Sequence, residues 1–135
     1  DPETQVILPR LKTDLVEIML SCVNGNLLKQ KVSWSKKAAT CVVLASGGYP
    51  QNFEKGKEIF GLKDAAALKD VFVFHSGTKL SGTKILSDGG RVLGVTALGK
   101  TIKESIDRAY LAVSKIRFEK MHFRKDIGKR ALKNG

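Results

Sequence analysis

Apolar residues recur at helical spacing in the first part of the chain. Within residues 14–24 they follow i, i+3, i+4 and i+7 spacing, which predicts an amphipathic helix. These positions are Leu15, Ile18, Met19 and Cys22. Thr13 is the expected N-cap, and Gly25 follows the expected end. Because one helix cannot bury its own apolar stripe, this helix must pack on the rest of the chain or on a partner.

The strongest helical pattern covers residues 102–116. An apolar stripe runs along one face, and charged residues occupy the other faces. Thr101 and Glu104 have the spacing of a capping box at its start. Beyond this helix the sequence predicts a last strand over residues 118–123 and then a basic tail.

The middle of the chain contains short apolar and β-branched runs that predict strands. They cover residues 39–45, 71–75, 84–87 and 91–97. Asp88-Gly89 separates the last two runs, which predicts that they form a hairpin. We also expect a helical turn over 64–68 and an irregular connector over 26–37, whose Trp34 docks on the body. Strands joined by turns favour a small, mostly antiparallel α+β domain with flanking helices.

The composition predicts a packed core and a basic surface. Hydrophobic residues make up 42% of the 135, and the formal net charge is +11. All of this excess lies after Trp34, since residues 1–34 carry four basic and four acidic side chains. Such a surface attracts nucleic acid, acidic membranes or phosphorylated metabolites, but a solvated surface that only aids solubility is an equally good interpretation.

Several classes of protein are disfavoured. No apolar run approaches the ~20 residues that span a bilayer, and no signal segment opens the sequence. Cys22 and Cys41 are expected to be buried, reduced thiols, and no zinc site is expected because His75 and His122 lie far apart. The sequence begins without Met and leads straight into an apolar segment, so we expect a part of a longer protein.

Residues 94–101 match the phosphate-loop pattern G-x-x-x-x-G-K-[ST] between a predicted strand and a capped helix. In a true phosphate loop the four residues between the glycines curl, so that their N–H groups surround the phosphate. Here these residues are Val, Thr, Ala and Leu, which favour extended structure, and no later strand ends in an Asp for magnesium. We therefore interpret the match as a strand followed by a helix start.

A second candidate site combines two cations with two glycines. If Asp88-Gly89 is a hairpin turn, Lys84 and Arg91 lie on one face as diagonal neighbours. Gly89 and Gly90 leave backbone N–H groups open to close approach. An Arg fork, a Lys charge and bare amides suit a phosphate monoester, while the simpler alternative is a solvated surface hairpin.

Other polar residues carry weaker hypotheses. His75 ends an apolar strand and is expected to be a hydrogen-bonded structural residue. Asp1 and Glu3 form a carboxylate pair close to the beginning. The basic residues within 124–130 offer cations to RNA or to a phosphate, but the tail lacks a recognition helix with base-reading side chains.

Five blocks of sequence occur here in the order that one family shows. They are DPETQ at 1–5, ATCVVLASGGYP at 39–50, VFHSGTK at 73–79, GGRVLGVTALG at 89–99 and FRKDIGKRAL at 123–132. Together they closely resemble glycinamide ribonucleotide synthetase, also called phosphoribosylamine–glycine ligase. The resemblance implies that residues 1–34 are the end of the ATP-grasp region and a connector. It implies that residues 35–135 are the C-terminal domain, rudiment single-hybrid-like, preceded by a helix from the ATP-grasp region.

The resemblance also implies a function for the intact enzyme. That enzyme uses ATP to phosphorylate the glycine carboxylate, and the amine of phosphoribosylamine then displaces phosphate, an early step of cytoplasmic purine synthesis. Magnesium or manganese holds the ATP phosphates, on ligands that precede the DPETQ block. We therefore expect this segment to bind no cofactor by itself and to need the N-terminal, ATP-grasp and central lobes as partners, with glycine and phosphoribosylamine as substrates and no membrane or specific nucleic acid.

The resemblance extends to individual residues. Asp1, Pro2, Glu3 and Gln5 match the end of a family signature that borders the active site. Related ATP-grasp enzymes place a Lys and an Arg, seven positions apart, on the substrate's 5′-phosphate, and Lys84 and Arg91 have that spacing. The expected substrate-binding set is Asp1, Glu3, Lys84, Gly89, Gly90 and Arg91. The alternatives are a basic nucleic-acid-binding module and a small P-loop nucleotide binder.

Overall fold

A strand of nine residues lies at the centre of the fold in the computed structural model. This strand, β5 (Arg91–Gly99), pairs antiparallel with β1 (Ala38–Ala45) on one side and with β2 (Val71–His75) on the other. β3 (Thr78–Ser81) and β4 (Lys84–Ser87) form a separate two-stranded antiparallel sheet. Within each of the two sheets all strand pairing is therefore antiparallel, as the sequence predicts.

Helices flank the strands. The structure describes residues 3–133, and the α-helices within this range are α1 (Glu3–Ile7), α2 (Leu15–Val23), α3 (Leu62–Ala66), α4 (Ile102–Val113) and α5 (Lys129–Lys133). Short 3-10 turns follow α1 and α2, at Leu8–Arg10 and Leu27–Lys29. The predicted α+β class is confirmed.

The hydrophobic core lies between the three-stranded sheet and α4. Leu44 of β1, Leu93 of β5 and Ala109 of α4 are fully buried there. One buried hydrogen bond joins the two layers, since the hydroxyl oxygens of Thr40 and Ser105 lie 2.7 Å apart. Helix α1 packs on the opposite face of β1 and β5, so β5 is covered on both faces as well as on both edges.

The predicted hairpin between β4 and β5 is wrong. Leu86 of β4 lies opposite Lys79 of β3, and Leu93 of β5 lies opposite both Leu44 and His75. The reason is that β5 is apolar along nearly its whole length. It is buried at all but its first residue and pairs on both edges with apolar strands, β1 and β2. The half-exposed β4 pairs with the short polar strand next to it, through a turn in which Gly82 has a φ of +58°.

Both predicted helices form, and each has a defined N-cap. In α4 the Thr101 hydroxyl accepts a hydrogen bond from the Glu104 N–H at 3.1 Å, as the capping box predicts. The Glu104 carboxylate accepts from the Lys100 N–H at 2.6 Å, one residue before the cap. In α2 the cap is Asp14 instead of Thr13, because the Asp14 carboxylate accepts from the Val16 N–H at 2.7 Å.

Three smaller predictions are wrong. No strand forms over 118–123; within the described residues, its β-pairing is limited to an isolated bridge between Ala45 and His122, and Arg117 forms another with Phe60. Cys22 is exposed and Cys41 half-buried, although both are free thiols as predicted. Trp34 forms a bridge with Leu11 but remains 46% exposed, so it docks only in part.

Helix α2 exposes its apolar stripe. None of its residues is buried, and within residues 3–133 the secondary-structure element with which it makes its main contact is the short 3-10 turn that follows it. Its large exposed side chains are Leu15, Val16, Met19, Leu20 and Val23. The prediction that this helix needs a partner is therefore consistent with its exposure in the chain.

Two glycines with the same backbone conformation offer a test of the packing. Gly61 has a φ of +79°, and a Cβ there would lie 1.8 Å from the Lys115 carbonyl oxygen. Gly56 has a φ of +80°, with nothing within 4 Å of such a Cβ. We expect Gly56→Ala to cost about 1–2 kcal/mol of unfolding free energy, and Gly61→Ala roughly 3–5 kcal/mol, because backbone must move. Urea unfolding measures both, and equal costs would contradict this packing.

Candidate functional site

Three segments that are distant in sequence meet at a cleft of about 400 Å³. Gln5 comes from α1, Ser76-Gly77 follow β2, and Gly90-Arg91 begin β5. Val43 of β1 lies at its floor and Tyr49 at its wall. The cleft therefore lies at the end of the sheet where β5 begins.

A β-bulge at the start of β5 determines where Arg91 points. Leu44 of β1 lies opposite Leu93, but the next residue of β1 lies opposite Arg91. Val92 is thus an extra residue on β5, and it shifts the alternation of side chains by one position. Without the bulge Arg91 would share the face of Leu93, which is fully buried in the core. With it Arg91 shares the face of Gly94 and is exposed at the cleft.

Close backbone contacts hold the glycines of the cleft in place. A Cβ on Gly77 would lie 2.6 Å from the Cα of Gly89 and 2.6 Å from the carbonyl oxygen of Arg91. On the other side Ser46, which is 2% exposed, donates its hydroxyl hydrogen to the Gly89 carbonyl at 2.9 Å. The Ser46 N–H donates to the Gly90 carbonyl at 2.8 Å. Both carbonyls are therefore occupied.

The N–H groups of the same two glycines are not used by the backbone hydrogen bonds around the cleft. Within residues 3–133 neither the Gly89 nor the Gly90 N–H donates to a protein acceptor. A guanidinium fork beside open backbone N–H groups is suited to an anion with several oxygens, above all a phosphate. The cleft can therefore recognise a phosphate by charge and by directed hydrogen bonds.

The surroundings of the cleft keep its charge positive. Asp88 is the acidic residue next to the glycines in sequence. Its carboxylate lies 3.5 Å from the Lys79 ammonium and 3.9 Å from the Lys55 ammonium. Two cations thus offset one acid.

Gln5 fastens α1 to the sheet beside the cleft. Its backbone carbonyl accepts from the hydroxyl of the fully buried Thr96 at 2.9 Å. Its side-chain Oε1 accepts from the Cys41 Sγ at 3.5 Å. Burial raises the pKa of the Cys41 thiol, with a hydrogen bond from Thr96 opposing the rise. The thiol therefore remains protonated, and able to donate, at neutral pH.

The structure separates Lys84 from the candidate set. Its hairpin with Arg91 does not form, and its ammonium lies 2.8 Å from the Glu58 carboxylate. The inference from diagonal neighbours therefore fails, because β4 belongs to the other sheet. Glu3 lies in α1 but lines a different, more apolar pocket, and Asp1 lies outside the described residues.

The phosphate-loop match is confirmed as a strand and a helix start. Residues 94–99 are the buried second half of β5, and the backbone is extended where a phosphate loop must curl. His75 is a hydrogen-bonded residue as expected, since its Nδ1 lies 2.9 Å from the Thr78 hydroxyl oxygen.

Other site types find little support in the described part of the chain. Residues 3–133 contain no group of three or more His, Cys, Asp or Glu side chains that could hold a metal ion. None of the described helices is long and apolar enough to cross a membrane. In the basic tail Arg124 pairs with Asp126 at 2.7 Å, and this bond lowers the pKa of the Asp126 carboxyl.

Comparison with known proteins accounts for this arrangement. A sequence model of the family described as "Phosphoribosylglycinamide synthetase, C domain" matches residues 39–130. The chain belongs to this family. The phosphoribosylamine–glycine ligase of Synechocystis sp. is 50% identical over 133 residues, which cover 98% of this chain and 32% of that protein. A bifunctional purine biosynthetic protein of Dictyostelium discoideum is 45% identical and is covered to 16%.

A solved structure agrees with the fold. The phosphoribosylamine–glycine ligase of Thermotoga maritima matches with a TM-score of 0.71 at 32% identity, over 93% of this chain and 30% of that one. This phosphoribosylglycinamide synthetase segment spans about a third of the length of the first curated relatives, and it corresponds to their C-terminal part. The resemblance inferred from the five sequence blocks is confirmed.

Sequence reasoning missed part of the cleft. Ser76, Gly77 and Tyr49 occur within the family blocks, but the sequence patterns assign them no role in a site. A signal was present, since a Ser-Gly pair directly after an apolar strand places small residues at a sheet end. What the sequence could not show is that Gly77 meets Gly89, because that approach depends on the pairing of β2 with β5.

Two glycine substitutions test the close approach at the cleft. Gly77→Ala should destabilise the fold by roughly 3–5 kcal/mol, because the new methyl group meets backbone atoms that cannot rotate away. The control is Gly94→Ala, whose Cβ would meet the end of the Gln5 side chain at 2.7 Å, so a flexible group moves instead. Thermal and urea unfolding compare the two. A Gly77→Ala protein as stable as Gly94→Ala would show that the glycines do not touch.

Proposed function

We propose that this segment forms the sugar-phosphate end of the substrate site in an ATP-dependent ligase that joins glycine to phosphoribosylamine. The carrying observation is the cleft lined by Gly90 and Arg91, where the N–H groups of Gly90 and of the preceding Gly89 have no protein acceptor within residues 3–133. Membership of the synthetase family and the names of the curated relatives support the reaction. The expected products are glycinamide ribonucleotide, ADP and phosphate.

In this proposal the segment recognises the substrate and the reaction takes place on other parts of the ligase. A 5′-phosphate carries close to two negative charges, and Arg91 offers two parallel N–H donors to it. Gly89 and Gly90 add backbone donors without side chains that would keep the phosphate away. Holding the phosphate here orients the amine at the other end of the ribose toward the activated glycine.

The remaining lobes of the ligase are the proposed partners. They would bind ATP and magnesium or manganese, for which the described residues offer no ligand cluster. The exposed apolar stripe of α2 supports such a partner, because an unpaired stripe of this size is stable only when another surface covers it. We place the reaction in the cytoplasm, although one relative, from Arabidopsis thaliana, is named chloroplastic.

The other residues of the expected set keep a weaker place in the proposal. Glu3 precedes Gln5 on α1, and Asp1 comes two residues earlier in the sequence; we propose that both border the substrate from the side of the ATP-grasp region. Lys84 stays a prediction of the sequence spacing alone, since its ammonium is paired with Glu58. Lys84→Ala should therefore affect substrate binding far less than loss of Arg91.

Removal of the guanidinium tests the proposal directly. In the full-length ligase Arg91→Ala should raise the KM for phosphoribosylamine about 10- to 100-fold, which is the usual effect of losing hydrogen bonds to a charged group, and should leave the KM for ATP nearly unchanged. The matched control is Lys100→Ala, which removes an exposed cation just beyond the other end of β5. Steady-state kinetics with each substrate varied in turn measure both.

Two outcomes would count against this function. An equal rise in both KM values would show that Arg91 acts on the structure instead of on the sugar phosphate. A loss of ATP binding in Lys100→Ala would favour a nucleotide-binding loop at residues 94–101, and tight duplex binding that persists at high salt would favour a nucleic-acid module.

The α2 stripe gives a second prediction. Met19 and Val23 are 56% and 84% exposed and lie one helical turn apart. Met19→Lys or Val23→Lys should leave the stability of the 135-residue chain within about 0.5 kcal/mol. Either change should destabilise the full-length ligase by about 2 kcal/mol or more, since a charge would be buried at the lobe interface. Thermal unfolding of both proteins separates the two effects, and equal shifts would argue against a covered stripe.

A further inference from the structure

We propose that Gln5 determines specificity at this cleft, because its side-chain Nε2 donates to a ribose hydroxyl of the sugar phosphate that Arg91 holds. The inference rests on the proposed function and adds to it the group that distinguishes a ribosyl phosphate from phosphate alone. The observations that carry it are the anchoring of Gln5, the orientation of its amide and its position relative to Arg91.

The backbone of Gln5 is fixed to the sheet. The Thr96 hydroxyl donates to the Gln5 carbonyl at 2.9 Å, and Thr96 is fully buried in the central strand. A hydrogen bond from so rigid an element sets the position of α1 over the sheet. The side chain of Gln5 therefore starts from a defined point at the cleft wall.

The amide of Gln5 is also oriented. The Cys41 Sγ donates to its Oε1 at 3.5 Å, since a carbonyl oxygen only accepts and the thiol must supply the hydrogen. Gly94 leaves the space that the amide occupies, since a Cβ there would lie 2.7 Å from Oε1. With Oε1 turned to Cys41, the Nε2 group with its two N–H donors faces away from the thiol, and within residues 3–133 it has no protein acceptor.

The bulge brings this amide and the guanidinium to one face. Gly94, beneath the Gln5 amide, and Arg91 share a face of β5 because Val92 is the extra residue between them. At ~3.3 Å per residue their Cα atoms lie roughly 7–10 Å apart along the strand. A ligand anchored at Arg91 thus extends its neutral, hydroxyl-bearing part toward Gln5. The Gln5 amide N–H groups can donate to the oxygen of a sugar hydroxyl.

Titration of the 135-residue chain with two probes tests the inference. Ribose 5-phosphate and inorganic phosphate are added separately, and amide chemical shifts of Gly90 and of the Gln5 side chain follow binding. Gln5→Met keeps the length of the side chain and removes its amide. We expect it to weaken ribose 5-phosphate binding about three- to tenfold, the usual effect of one lost hydrogen bond, and to change phosphate binding less than about twofold.

Two further variants address the orientation of the amide. Gly94→Ala should cause the same selective loss, because its methyl group displaces the Gln5 side chain while the amide remains in the protein. Cys41→Ser keeps a donor to Oε1 and should retain the selectivity, whereas Cys41→Ala should lose part of it. The amide spectrum of each variant also reports whether it is folded, so a change in binding is scored only against a native spectrum.

Arg91→Ala separates failure of this inference from failure of the proposed function. If Arg91→Ala weakens both probes while Gln5→Met changes neither their affinities nor their ratio, the cleft binds phosphate and the role of Gln5 is refuted. An equal loss of both probes in Gln5→Met would refute it as well, since Gln5 would then only shape the cleft. If Arg91→Ala changes neither probe, the proposed function itself fails.

Discussion

The burial of β5 is the constraint on which the rest of the structure depends. Every residue of this strand after Arg91 is buried, with a neighbouring strand on each edge, α4 on one face and α1 on the other. A strand so enclosed can expose a charged side chain only at its end. The single extra residue Val92 decides to which face that end turns, and it places Arg91 on the side of α1, away from the hydrophobic core. The burial of β5 thus sets the fold, and the bulge at Val92 sets the direction of Arg91 at the candidate site.

The same burial explains why small residues collect around the cleft. Gly77, Gly89, Gly90 and Gly94 lie where another chain segment approaches β5 or its leading loop closely, and in each case a Cβ would meet a neighbour within about 3 Å. Three of these contacts draw loops together, and the fourth admits the side chain of Gln5. Glycine here provides space, and at Gly89 and Gly90 the backbone N–H groups have no protein acceptor within residues 3–133. Packing and recognition thus favour the same residue type at these positions.

The sequence predicts well those features that depend on neighbouring residues. Helix α4 has its capping box within four residues, and β1 and β2 are apolar runs bounded by turn residues, so their positions follow from local patterns. The partner of β4 does not follow from such local patterns. The Asp88-Gly89 signal favours pairing of β4 with β5, but both edges of β5 are taken by the longer apolar strands β1 and β2. Within the site, the hairpin signal and the family resemblance together predict Arg91, Gly89 and Gly90. Ser76, Gly77 and the anchoring of Gln5 depend on tertiary contacts, which a pattern along the chain does not encode.

The exposed stripe of α2 and the open cleft belong to one argument about how the segment works. Arg91 and the open N–H groups can attract a phosphate in water, but a water-exposed charge pair contributes little to affinity. The same contacts become stronger when another surface excludes solvent from the cleft. α1, which carries Gln5, leads through one short turn toward α2, whose apolar side chains lack a cover within residues 3–133. Since α2 follows α1 closely in the sequence, a lobe that covers α2 is tied to the helix that forms one wall of the cleft. We therefore expect docking of that lobe and strengthening of phosphate recognition to occur together.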